Sequence, residues 1–459
     1  MYLPFQVPVG AQRIHVAYSY SDGVTAPFGM GPGNTLDVGI FDSRGHDFLS
    51  PAGFRGWSGG ARPEFFIGRE EATPGYIHGA LFPGEWNVML GLPRLEPTGA
   101  LYEVRIEIDV DEGPSREPPV RLSTAPGATV ARAAVAKPGE GAWLKGDLHC
   151  HTVHSDGLNT VREIVEHAVA LGLDFIAVTD HNTNTHHEEL DAMTDLPIIR
   201  IPGEEVTTYW GHANTWGLRE WVEYRCADNE AIQSVRRWLA ERDAMLSINH
   251  AKCIGPPWLF EGWDGYQAME VWQAPWRFHN FESLERWDTL LQRGQRVVAV
   301  GGSDVHSIPP AEPRHPHGLA EPTTWVYASE ATEGGVLEAI RTGRAFITDA
   351  PRMPTRLELY ADEDGDGRYE KMMGDVVAPR PVRFRVDVTA GREKRLWIVA
   401  DGAPLDIIQI DRDDERVEFT ADMGRYRYVR AELRGFRGRP ERGEVVWAMT
   451  NPVWREDVG

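Results

Sequence analysis

The sequence predicts an α/β protein in which a barrel of parallel strands and helices lies between two β-sandwiches. Three observations carry this. From Leu144 onward, short and nearly continuous apolar runs such as DFIAVTDH and RVVAVGGSDVH alternate with helical segments, as do parallel strands buried on both faces. Before them, RIHVAYSY, TLDVGIFD, EWNVMLGL and LYEVRIEID alternate apolar with polar residues between Gly and Pro punctuation, which is strand patterning. After about Pro351 the alternation returns in TRLELYAD, VRFRVDVTA and KRLWIVAD.

Taken in order, residues 1–111 read as an N-terminal β-sandwich. Residues 112–143, rich in Pro, Ala and Gly, read as a linker. Residues 144–349 carry the barrel. Its first helix, TVREIVEHAVALG, opens with the capping-box pair Thr160 and Glu163. It sets Val161, Ile164, Val165 and Ala168 on one face and stops at Gly172. The strand signal continues through AMLSINHA, AMEVWQA and TTWVYAS, and residues 350–459 read as a C-terminal β-sandwich. A chain of 459 residues exceeds what one hydrophobic core supports, in keeping with several domains.

A formal charge of −22 argues against bulk nucleic acid as a partner, because a phosphate backbone needs a basic face. Three cysteines form an odd, sparse set that suits free thiols in a reducing compartment. The amino terminus MYLPFQVPVG has neither the basic region nor the apolar run of a signal peptide, and no later run has the length of a membrane span. These readings predict a cytoplasmic protein with no membrane partner, either single or self-associated as a homo-oligomer.

The chemistry gathers at the ends of the barrel strands, where functional residues of such barrels collect. Those ends read DLHCHTVHSDG, VTDHNT, PGEEVTT, GHANTWG, INHA and GGSDVH, and every one holds His, Asp or Glu. His149 and His151 point to one side of a strand and Cys150 to the other, and Asp304 with His306 repeats the spacing. A lone His-x-His is more often a satisfied pair in a wall, but six ligand-bearing strand ends point to divalent metal. Imidazole with carboxylate suits zinc, manganese or iron.

With these motifs, and with EVWQ and TTWVYA, the segment 144–348 resembles the PHP (polymerase and histidinol phosphatase) superfamily of metal-dependent hydrolases, and within it the CehA/McbA-like branch. The resemblance implies a distorted seven-stranded (β/α) PHP barrel with two or three metal ions. His149, His151, Glu205 and Asp304 would hold the first ion. Asp156, His181 and His306 would hold the second, and Glu205, His212 and His250 the third. Glu205 is preferred to Glu204 because the family pattern runs Gly, any residue, Glu, aliphatic. Glu205, Asp304 and His306 would activate a metal-held water.

Such a site implies hydrolysis of a small ester. Phosphomonoesters and phosphodiesters come first, and carboxyl esters or carbamates are the alternative. Lys252, Arg314 and His154 are candidate substrate contacts. Trp210, Trp258, Trp263, Trp272 and Trp276 would instead suit an aromatic or sugar-bearing substrate. From another class, sixteen tryptophans and two sandwich-like flanks make a carbohydrate-binding protein with a relic barrel imaginable. DEDGDG, from Asp362, reads as an acidic hairpin turn. Calcium on Asp362, Asp364 and Asp366 is the alternative, weakened by Met373 at the twelfth loop position, where a bidentate Glu belongs.

Overall fold

The computed structural model describes residues 1–24, 32–111, 135, 137–308, 317–437 and 443–456. Arg314 and most of the expected linker lie outside the described residues.

Among the described residues the alternating N-terminal pattern yields seven strands: β1 (Tyr2–Val7), β2 (Ala11–Tyr20), β3 (Thr35–Phe41), β4 (Phe54–Gly59), β5 (Glu64–Gly68), β6 (Gly84–Arg94) and β7 (Tyr102–Val110). They pair in two sheets, β1-β6-β3-β4 and β5-β2-β7. Ile14, Val16, Val38, Ile40, Trp86 and Val88 share one buried apolar cluster between them, because period-two alternation turns one face of each strand inward.

The middle of the chain runs β8 (Ala142–Asp147), α1 (Val161–Ala170), β9 (Phe175–Val178), α2 (His187–Ala192), β10 (Ile199–Thr208), β11 (Gly211–Trp216), α3 (Asn229–Ala240), β12 (Met245–Ile248), β13 (Ala268–Gln273), α4 (Asn280–Gln292), β14 (Val298–Gly302), β15 (Thr323–Ala328), α5 (Glu333–Arg341) and β16 (Ala345–Thr348). In α1 the capping box between Thr160 and Glu163 is formed, and Val161, Ile164, Val165 and Ala168 are buried.

The uninterrupted parallel order read from the sequence is corrected by the structure. β8, β9 and β10 pair in parallel, as do β12, β13 and β14. β11 lies antiparallel between β10 and β12, and β15 lies antiparallel to β8. The cause is local: only Tyr209 and Trp210 separate β10 from β11, enough for a hairpin and too few for a parallel crossover. GHANTWG is therefore a strand and not a strand end, with His212 near its start.

The last ten strands are β17 (Arg356–Asp362), β18 (Lys371–Met372), β19 (Val376–Val377), β20 (Pro381–Thr389), β21 (Arg395–Ala400), β22 (Ala403–Gln409), β23 (Glu415–Asp422), β24 (Tyr428–Phe436), β25 (Glu444–Thr450) and β26 (Val453–Arg455). Part of this segment continues the central sheet, since β16 pairs with β25 through Phe346 and Thr450. The rest forms a separate sheet, β18-β17-β20-β23. Among the described residues no helix is long and apolar enough to cross a membrane.

A buried ion cluster also locks the C-terminal strands to α4. Arg430 on β24, 1% exposed, donates to both carboxylate oxygens of Asp288 on α4 at 3.1 and 2.6 Å and pairs with the fully buried Glu432. Removing one partner of such a cluster leaves an uncompensated buried charge. Arg430→Ala is therefore expected to destabilise the chain by about 3–5 kcal/mol, measured by urea unfolding.

Candidate metal centre

The segment after β8 stays extended alongside residues 303–305. His151 N–H donates to the Val305 carbonyl at 3.0 Å and Asp304 N–H to the His149 carbonyl at 2.8 Å. This pairing sends His149 and His151 to one side. It turns Cys150 to the other, where its thiol meets the Ala177 carbonyl at 3.3 Å. A second pairing, Asn182 N–H to the Glu205 carbonyl at 3.0 Å, sets His181 beside Glu205. The β10–β11 hairpin then places His212 against Glu205 from its second strand. His250 and Asp304 hold positive φ values of 26° and 53°, strain of the kind that gathers at functional sites.

All nine expected ligands fall in one connected patch. His149 Nε2 and His151 Nε2 face each other at 3.2 Å. Asp304 Oδ1 stands 3.0 Å from His151 Nε2 and 3.3 Å from His149 Nε2. Glu205 oxygens stand 3.4 and 3.5 Å from the same nitrogens. Donors sharing one zinc-sized ion at about 2.0–2.1 Å stand ~3.3 Å from one another, so the spacing of His149, His151 and Glu205 fits a single bound ion, with Asp304 beside the two imidazoles. The Nδ1 atom of His151 is buried without a hydrogen-bond partner.

A second group joins Asp156 Oδ1 to His306 Nε2 at 3.2 Å and to His181 Nε2 at 3.5 Å. A third centres on Glu205, whose Oε1 is 3.3 Å from His212 Nδ1 and 3.2 Å from His250 Nε2. The groups overlap more than the sequence implied. His151 also gathers with Asp156, His181 and His306, and His181 with Glu205 and His212.

Charge balance holds the patch together. Burial raises the Glu205 carboxyl, but His149, His181 and His212 outweigh it and hold the group well below its ordinary value. Asp304 is likewise held low against burial by His149, His151 and His306. Burial, then repulsion from His181 and His306, pushes His151 down to about 4. Its ring is sandwiched between theirs at centroid distances of 4.2 Å. A neutral imidazole with free lone pairs is the form that binds metal.

Glu204 turns away, its Oε2 accepting the Val222 N–H at 3.1 Å, and burial raises its carboxyl well above the ordinary range. Lys252 is 1% exposed and donates to the Gln273 carbonyl and to Asn280 Oδ1, both at 2.9 Å. His154 is buried between Thr185 Oγ1 at 2.8 Å and Glu189 Oε1 at 3.0 Å, beside Gly75 of the N-terminal part. Trp258 and Trp272 are core residues, with Trp263 and Trp276 packed on them. At the acidic turn both Asp362 oxygens accept backbone N–H groups, from Gly365 at 2.8 Å and Gly367 at 3.0 Å.

Sequence reasoning missed the carboxylates and amides behind the ligands. Glu270 Oε1 meets His149 Nδ1 at 2.9 Å, while Oε2 accepts the His250 N–H at 2.9 Å. Gln273 Nε2 donates to Asp304 Oδ2 and Asn249 Nδ2 to Glu205 Oε1, each at 2.9 Å. Such partners fix ring orientation and tautomer. The EVWQ motif holds Glu270 and Gln273 at a strand end, the one sequence signal that could have found them.

A cleft of about 430 Å³ opens over Asp156, His181 and His306, and its opposite wall runs from Trp57 to Ala61 of the N-terminal part. Arg62 anchors that wall by donating to the carbonyls of Val153 and, at 3.1 Å, Ser155.

Residues 147–223 match the family model of the PHP domain. The chain contains a PHP domain. His149, His151, Asp156, His181, Glu205 and His212 fall inside the matched part of this PHP domain, and His250, Asp304 and His306 follow it. A 5'-3' exoribonuclease of Haemophilus influenzae is 39% identical over 67 residues, 14% of this chain and 24% of that protein. The 5'-3' exoribonuclease Rnm of Salmonella typhimurium is 40% identical over 68 residues, 14% of this chain and 23% of that protein. The chain thus spans about a quarter of the length of the curated relatives it matches. A solved two-domain protein of Bacteroides vulgatus, described as containing a predicted PHP-like metal-dependent phosphoesterase, is 18% identical with a TM-score of 0.38, over 71% of this chain and 99% of that one.

The Asp156–His306 pair gives a pH prediction. Burial opposes protonation of His306, but Asp156 overrides it and raises the imidazole from 6.5 to about 9. In ion-free protein this stabilisation is complete below pH 6.5 and is lost as pH rises through about 9. An incoming ion displaces that proton, so divalent-metal affinity is expected to climb as pH rises toward about 9 and to level off above it. Calorimetric titration in buffers of different ionisation enthalpy checks both affinity and proton release.

Proposed function

We propose that the chain is a metal-dependent phosphoesterase acting on small phosphomonoesters or phosphodiesters. The observation that carries this reading is the convergence of His149, His151 and Glu205 at one-ion spacing within the segment that matches the PHP domain, with Asp304 beside both imidazoles. In this reading His149, His151, Glu205 and Asp304 hold one ion, Asp156, His181 and His306 a second, and Glu205, His212 and His250 a third. Zinc, manganese or iron suits these donors. When bound, such ions supply a water of lowered pKa and neutralise charge on a phosphoryl group.

The protein's own groups position the rest. Glu270 at Nδ1 of His149 keeps Nε2 turned to the cluster, and Gln273 does the same for Asp304 Oδ1 by holding Oδ2. Trp57 to Ala61 face the ligands across the cleft and limit what enters. The net charge of −22 favours a small ester over bulk nucleic acid. The intact ligand patch favours an enzyme over a binding protein with a relic barrel. The same reading includes the distorted seven-stranded barrel, the sandwich flanks with the bounds given above, and the option of a homo-oligomer.

Carboxyl-ester or carbamate cleavage is the second reading. It is favoured by Lys252, a candidate phosphate contact, donating instead to Gln273 and Asn280.

Metal-stripped protein reloaded with zinc, manganese or iron is expected to release p-nitrophenol from p-nitrophenyl or bis(p-nitrophenyl) phosphate. His149→Ala should lower kcat/KM by about 100-fold or more. Cleavage of aryl carbamates alone would select the second reading. A Cβ at Gly60, which lines the cleft, meets only Leu36 O at 3.7 Å and Asp37 Oδ1 at 3.9 Å, ordinary contact distances, so Gly60→Trp is expected to fold and to narrow the cleft. It is expected to raise KM for the bulky diester about tenfold with little change in kcat.

A further inference from the structure

Outside the buried patch, a thiol, an imidazole and a carboxylate meet at the surface where the loop after β12 approaches the start of α4. Cys253 Sγ lies 3.2 Å from His279 Nδ1, and His279 Nδ1 lies 2.9 Å from Glu282 Oε1. One donor atom from each residue falls within 4.8 Å of the other two. We propose that Cys253, His279 and Glu282 form a second metal site that binds one thiolate-accepting divalent ion such as zinc.

The geometry separates this from a nucleophilic relay. A relay places the nucleophile and the orienting carboxylate on opposite ring nitrogens, so that a proton taken at one is balanced at the other. Here thiol and carboxylate both approach Nδ1, which offers a single hydrogen or a single lone pair. Three donors converging on one locus are instead what a cation needs. Sulfur, imidazole nitrogen and carboxylate oxygen are all zinc ligands. Three protein donors leave a coordination position for water or another group. On binding, the Cys253 thiol gives its proton to bulk water and the sulfur coordinates as thiolate, with no change in oxidation state.

The site is held ready by contacts the proposed hydrolysis does not use. Lys252, buried, ties its ammonium to Asn280 Oδ1 and the Gln273 carbonyl. Cys253 N–H donates to Glu282 Oε2 at 2.9 Å. Loop and helix are therefore clamped at adjacent positions on both sides, Lys252 to Asn280 and Cys253 to Glu282. His279 holds a left-handed φ of 58° between them. Cys253 is exposed, whereas Cys150 and Cys226 are buried, and the buried patch uses only nitrogen and oxygen donors.

That difference in donors makes the test specific. Full-length protein stripped by a chelator and titrated with cobalt(II) under anaerobic conditions is expected to develop a near-ultraviolet sulfur-to-cobalt charge-transfer band equivalent to one ion per chain. Cys253→Ser should abolish the band and His279→Ala should weaken it, while Cys226→Ser leaves it intact. As a measurement without substitution, zinc should slow iodoacetamide alkylation of Cys253 in the wild-type chain by about tenfold or more. The absence of the band at saturating cobalt, its survival in Cys253→Ser, or alkylation unaffected by zinc would each overturn the proposal.

Discussion

The site depends on one buried charge. Glu205 is completely enclosed, and a carboxylate removed from water needs compensation from several sides. Here it comes from His149, His151, His181, His212 and His250, each with a ring nitrogen within 3.5 Å of a Glu205 oxygen. Histidines from four segments of the chain must therefore arrive together for the residue to be tolerated. Divalent ions and protons compete for the same nitrogens, so metal content, protonation and packing of the central sheet are one linked equilibrium.

Around this charge stands a layer of neutral and acidic groups whose task is aim. Glu270 joins two ligands through one carboxylate, holding the His149 ring and the His250 backbone. Asn249 bridges Glu205 and the N–H of Asn214 on the neighbouring strand. Asp147 accepts N–H groups from His149, Ser303 and Ala320 and so pins both ligand-bearing segments to each other. These carboxylates and amides touch no reacting atom in the proposed chemistry, yet they convert a set of capable side chains into an ordered one.

Much of this was legible in the sequence where the signal is local. The capping box and apolar stripe of α1 are spacing rules within one helix. His149 and His151 share a side because a strand repeats every two residues. Strand direction is different: an apolar run carries no arrow, and only the two-residue gap between Thr208 and Gly211 marks β11 as antiparallel. Glu270 and Gln273 could be noticed in EVWQ but not given a task, since their partners lie 121 and 31 residues away. Lys252 is another such case. In sequence it reads as a candidate substrate contact two residues past a ligand, and its tie to Asn280 exists only once loop and helix have packed.

The hairpin that interrupted the parallel order has a further consequence. It carries His212 beside its turn and Glu205 two residues before Thr207, the partner of His212, and at the turn the Tyr209 hydroxyl donates to Asp37 Oδ2 on β3 at 2.9 Å. A stiff two-stranded arm gripped at its end by a neighbouring sheet acts as a mechanical lever. Any tilt of that sheet would reach the ligands directly, without passing through the helices that surround them.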